Sequence, residues 1–152
     1  TSSSNLKNIT SLIENYPMYQ ASLMIENNFN SDFSVLALDY VSVLHYLNKE
    51  NFSYIIHPSN HFEPYIADTL ININLIRDDE INKLILENPD VIICSGRRIV
   101  KGEVTKNKFY NCAISDWNKK YRQVNTEIYK ENPYLNFYND PYRDISIFFR
   151  KS

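Results

Sequence analysis

The sequence predicts an α/β domain: a mostly parallel sheet packed between helices, with an antiparallel hairpin at its C-terminal edge. Three observations carry this. Val35-Leu36-Ala37-Leu38 and Val91-Ile92-Ile93-Cys94 are short unbroken apolar runs, as in strands buried on both faces. Stretches with helical spacing separate the strand-like runs, so strand and helix alternate along the chain. The last stretch differs. Ile145, Ile147 and Phe149 alternate with Ser146, Phe148 and Arg150, the pattern of a half-exposed strand.

Taken in order, residues 1–5 read as a disordered start or an expression scar, and 6–152 as one domain. Leu6, Ile9, Leu12 and Ile13 follow helical spacing, with Asn5 a cap, until Tyr16-Pro17 interrupts them. A second helix is expected over 18–28, with Ala21, Met24, Ile25 and Asn28 on one side. After the first buried strand, Val43, Leu44, Tyr46 and Leu47 mark a short helix. Phe52-Ser53-Tyr54-Ile55-Ile56 reads as a second strand, and 59–70 as a loop. A helix is expected over 78–87: three acids suit its positive N-terminal end, and Ile81, Leu84 and Ile85 form its buried stripe. Asn88-Pro89-Asp90 stops it. The longest helix is expected over 111–130, where Ile114, Trp117, Tyr121, Val124 and Ile128 share a face. Residues 135–138 and 144–150 then form the closing hairpin. The sum is a Rossmann-like three-layer sandwich.

Composition narrows the function classes. The chain has 152 residues, 43% of them hydrophobic, which suits a packed globule and excludes a disordered segment. No apolar run approaches the roughly 18 residues needed to cross a bilayer. Two glycines leave no room for a phosphate-cradling loop, and two cysteines make neither a zinc finger nor a disulfide scaffold. Nothing calls for a cofactor. The 20 Asn, 18 Ile and 12 Tyr match AT-rich coding. Charge is uneven: residues 1–96 hold 4 basic and 12 acidic side chains, residues 97–152 hold 12 and 6. Either the halves neutralise each other in the fold, or the dipole orients the domain near an anionic surface or ligand.

Ligands of open α/β sheets bind beyond the carboxyl ends of the strands. Those ends carry Asp39, Tyr40, His57, Arg97 and Arg98, a set able to hold a phosphate or sugar. His57, His61 and Glu63 have ligand spacing for a metal only on a helix, and Pro58 argues for a loop, so surface histidines are the reading here. His45 lies among apolar residues, in the packing or at the edge of its short helix. Cys94 and Cys112 are either a disulfide, if the compartment oxidises, or independent buried thiols. The cluster Arg97, Arg98, Lys101, Lys106 and Lys108 lacks any nucleic-acid-binding signature in an acidic chain; a solvated loop or contact with lipid phosphate accounts for it. No nucleic-acid partner is expected.

Asp39-Tyr40, Leu44-His45-Tyr46-Leu47, His57-Pro58 and Glu80 through Asn88-Pro89-Asp90-Val91-Ile92-Ile93 follow one another in an order that resembles a known pattern. It is similar to the soluble C-terminal domain of bacterial multi-spanning glycosyltransferases of the family 39 kind, the dolichyl-phosphate-mannose-protein mannosyltransferase-like proteins. Tyr16-Pro17-Met18-Tyr19-Gln20-Ala21 with Ile25 stands for that domain's first helix, and Ile147-Phe148-Phe149-Arg150-Lys151 for its closing strand. The resemblance implies an extracytoplasmic accessory domain excised from an inner-membrane enzyme that moves a sugar from a polyprenyl-phosphate carrier to a cell-envelope acceptor. Its partners would be the membrane-embedded remainder of the parent and a lipid-linked sugar or acceptor. The family's catalytic acids lie upstream, between membrane helices, so no catalytic residue carries over. The compartment would permit a Cys94–Cys112 disulfide. The alternative is a stand-alone module binding a nucleotide or sugar phosphate at the strand ends.

Overall fold

A computed structural model describes residues 16–30, 32–55, 64–95, 99–100, 103–104, 117–124 and 145–152. The elements in chain order are α1 (Pro17–Glu26), β1 (Val35–Ala37), α2 (Ser42–Leu47), α3 (Pro64–Asn72), α4 (Glu80–Leu86) and β2 (Val91–Ser95). They continue with β3 (Ile99–Val100), β4 (Glu103–Val104), the single helical turn α5 (Trp117–Lys120), β5 (Tyr121–Val124) and β6 (Ile145–Arg150). The fold is mixed α/β. β1, β2, β6 and β5 form one sheet in that order, and β3 and β4 a separate antiparallel pair.

Each strand of the sheet feeds both faces, as the alternation of side chains along a strand requires. Val35, Ala37, Val91, Ile93, Ile145, Ile147 and Phe149 join Met18, Ala21 and Ile25 of α1 and Val43, Leu44 and Leu47 of α2 in one cluster. Leu36, Ile92, Cys94, Phe148 and Tyr121 join Leu84 and Ile85 of α4 in another. The two apolar runs are therefore buried on both sides, as their composition predicts. α1 begins where Pro17 fixes the backbone at the first helical position, and its buried stripe is Met18, Ala21, Ser22 and Ile25. α4 keeps within two residues of its expected bounds. Glu80, 5% exposed, turns one carboxylate oxygen back to the Arg77 N–H at 3.0 Å, and Asn88 leaves the helix in the left-handed region at φ 59°.

Five expectations need correction. The sheet is not mostly parallel: β1 and β2 pair in parallel, whereas β2–β6 and β5–β6 are antiparallel. The closing strand is not at an edge. β6 lies between β2 and β5, and its first five residues, Phe148 and Ser146 included, are buried. Such a strand needs a partner on each side, or a row of buried N–H and C=O groups stays unpaired. That demand explains the third correction. Tyr121 to Val124, expected in the long helix, pair with Arg150 to Ile147 as β5 after only one helical turn. Local helical spacing lost to a tertiary pairing. The rest of that helix, the 135–138 arm of the hairpin and the 6–13 helix lie outside the described residues.

The fourth correction concerns 52–56, which forms no regular strand in its described part. Asn51 makes a single parallel bridge to Val35, and Phe52 donates to the Val35 carbonyl at 2.8 Å. The Asn51 amide then does what a strand would do: it accepts from the Ala37 N–H at 2.8 Å and donates to the Ala37 carbonyl at 3.1 Å. Ser53 Oγ accepts from the Ile55 N–H at 3.1 Å, a local bond that competes with a ladder. Fifth, α3 occupies part of the expected loop. Pro64 suits a helix start, and Ile66, Leu70 and Ile73 have the spacing of one face.

Candidate functional site

At the carboxyl end of β1, Leu38 and Asp39 both donate to the Ile93 carbonyl, at 2.8 and 3.4 Å. Tyr40 then adopts φ 55°, a left-handed conformation costly for a residue with a Cβ. Asp39 supports the turn: its Oδ1 accepts the Tyr40 N–H at 2.9 Å. The Tyr40 carbonyl accepts from Val43 at 3.0 Å, which starts α2, and its ring packs against the α1/α2 side of the core. Asp39 and Tyr40 are thus brought together, in a strand-to-helix corner. His57, Arg97, Arg98 and Cys112 lie outside the described residues, as do His61 and Glu63. Among the described residues, no group of three His, Cys, Asp or Glu could hold a metal ion.

The opposite end of the sheet holds a denser polar network. Asp90 Oδ2 accepts from both the Ser34 N–H at 2.9 Å and the Ser34 hydroxyl at 2.8 Å, and Ser34 Oγ accepts the Asp90 N–H at 3.0 Å. Asp90 Oδ1 pairs with the Arg150 guanidinium, which also donates to the Asn88 carbonyl at 3.0 Å. Lys120 Nζ reaches Asn88 Oδ1 at 3.1 Å, and the Tyr121 hydroxyl donates to the Pro89 carbonyl at 2.8 Å. Burial pushes the Tyr121 hydroxyl up to about 12; the Arg150 cation opposes this and the Asp90 anion adds to it. Asn88-Pro89-Asp90 is therefore a clamp that ties β1, β2, β5 and β6 together at one end. Its polar groups are spent on each other, which is the arrangement of a structural joint.

Cys94 is disulfide-bonded and 1% exposed. His45 is exposed at the edge of α2, with its ring edge-on to Tyr46 at 5.6 Å. Sequence reasoning missed the surroundings of that contact. Tyr46 is also flanked by Tyr16, with ring centroids 5.9 Å apart, and by Tyr19, at 5.6 Å. The only sequence signal was the spacing of Tyr16 and Tyr19 about one helical turn apart; nothing pointed to Tyr46 as their partner.

No protein-family model, curated protein or solved structure matches the chain. Among the described residues, no helix is long and apolar enough to cross a membrane.

Proposed function

We propose that this chain is an extracytoplasmic accessory domain of a polytopic membrane glycosyltransferase. The parent enzyme transfers a sugar from a polyprenyl-phosphate carrier to a cell-envelope acceptor, with its reacting groups outside this chain. On this reading the sheet with helices on both faces is a Rossmann-like three-layer sandwich with a mixed sheet. The domain sits on the periplasmic side of a bacterial inner membrane, against the embedded remainder of its parent.

The order of sequence motifs motivates the reading, and the state of Cys94 carries it past its cytoplasmic rival. Disulfides persist in oxidising compartments and are rare where thiols are kept reduced. The Cys94 side chain is 1% exposed, so a thiol from another molecule has no approach to it, and Cys112 is the only other cysteine in the sequence. The reading therefore pairs Cys94 with Cys112. The stand-alone anion-binding module gains no comparable support: the Asp39 carboxylate is engaged with its own turn, and a carboxylate repels a phosphate.

The test is the reading frame upstream of Thr1 together with fractionation of the native protein. Several apolar spans of about 20 residues are expected, with the protein in the membrane fraction. A frame that encodes no such span, or a native product wholly in the cytosol, removes the reading.

A further inference from the structure

We infer that the tyrosine cluster at the α1–α2 corner is a binding platform for a neutral carbohydrate ring. Tyr16, Tyr19 and His45 surround Tyr46 with centroid separations of 5.9, 5.6 and 5.6 Å and interplanar angles of 56°, 67° and 68°. Tyr16 is 42% exposed, and Tyr19 and Tyr46 are half-buried. Two helices hold the rings: Tyr16 is fixed by the proline that starts α1, and Tyr46 stands in the last turn of α2. The platform is thus built on packed elements whose other faces are in the core.

The chemistry selects the occupant. Aromatic faces carry partial negative charge and attract the polarised C–H groups on one face of a pyranose. A tyrosine hydroxyl both donates and accepts, as sugar hydroxyls require. Among the described residues, the hydroxyls of Tyr16, Tyr19 and Tyr46 bond to no protein group, so all three remain for a ligand. An apolar side chain would leave those hydroxyls dry at a cost. Among the described residues, no ion pair touches the cluster. A ligand with one C–H face and a rim of hydroxyls uses both properties. The inference goes beyond the accessory-domain reading, because a stand-alone domain with these rings would bind a sugar equally.

The experiment is an amide NMR titration of the chain with maltotriose, mannotriose and chitotriose, and with sodium phosphate and anionic lipid bicelles as controls. Saturable shifts are expected for at least one trisaccharide, in the millimolar range typical of one stacked ring, centred on the amides of residues 16–20 and 42–49. Tyr16→Ala should weaken binding about 2- to 10-fold through the lost stack. Tyr46→Phe, which keeps the ring and the fold, should weaken it by a similar factor through the lost hydroxyl. The inference is overturned if no trisaccharide gives saturable shifts, if both variants bind like the parent chain, or if only phosphate or bicelles shift these amides.

Discussion

Replacing Asp90 by alanine should be among the most damaging changes open to a side chain that is not fully buried. The carboxylate accepts two bonds from Ser34, at 2.9 and 2.8 Å, and pairs with Arg150. Hydrogen bonds to a charged group contribute about 1.5–3 kcal/mol each when buried. The Asp90 side chain is 22% exposed, so the lower end of that range applies to the Ser34 bonds. Arg150 is 46% exposed, and its pairing belongs with surface ion pairs, worth about 0–1 kcal/mol. The total for Asp90→Ala is about 3–4 kcal/mol, most of it from the Ser34 N–H and hydroxyl left without an acceptor. Arg150→Ala should cost only about 1 kcal/mol. Urea denaturation measures both, and a thermal scan should show Asp90→Ala melting about 6–15 °C lower. Adding Ser34→Ala completes a double-mutant cycle, with an expected coupling of about 1 kcal/mol or more. The clamp interpretation fails if Arg150→Ala destabilises as much as Asp90→Ala, or if Asp90→Ala costs under about 1 kcal/mol.

Three further outcomes are expected. Because the folded chain holds the Tyr121 proton up to about pH 12 while an unfolded chain releases it near 10, stability should fall as pH rises between those values. The loss should approach about 2–3 kcal/mol, and alkaline denaturation of Tyr121→Phe should lack it. Asn51→Ala removes both bonds that its amide makes to Ala37 at the β1 edge, and should cost about 1–3 kcal/mol by urea titration. With Cys112 as the proposed partner of Cys94, reduction of the disulfide should destabilise the fold by about 3 kcal/mol, the chain-entropy value for a loop of roughly 17 residues. Peptide mapping without reductant should recover Cys94 and Cys112 in one linked species.

What could be read from the sequence was local. Val35 to Leu38 and Val91 to Cys94 announce doubly buried strands because every residue in them is apolar, and both faces are indeed covered. The α4 helix was legible because its acids, its Ile81–Leu84–Ile85 stripe and its stop at Asn88-Pro89 agree with one another. Pairing was not legible. Whether Ile145 to Arg150 sits at the edge or the centre depends on a partner some twenty residues upstream, and Phe148 reads the same on paper in either place. Tyr121 and Val124 fit a helix stripe and a strand equally, and the need of β6 for a second neighbour decided between them. Asn51 shows a subtler limit, since a side-chain amide standing in for a strand leaves no periodic trace. At the candidate site the spacing placed Asp39 and Tyr40 correctly at a strand end, but their roles in a turn became visible only from φ and hydrogen bonds.

The position of β6 has a consequence for how the chain comes into being. Synthesis runs from the N-terminus, and β1, β2 and β5 are all made before residues 145–150 leave the ribosome. Until then β2 lacks its antiparallel neighbour and β5 has no sheet to join, so the nascent polypeptide must wait in an open state. The sheet closes only after the last strand has emerged, and a truncation ahead of Ile145 should give a product that clumps and does not fold.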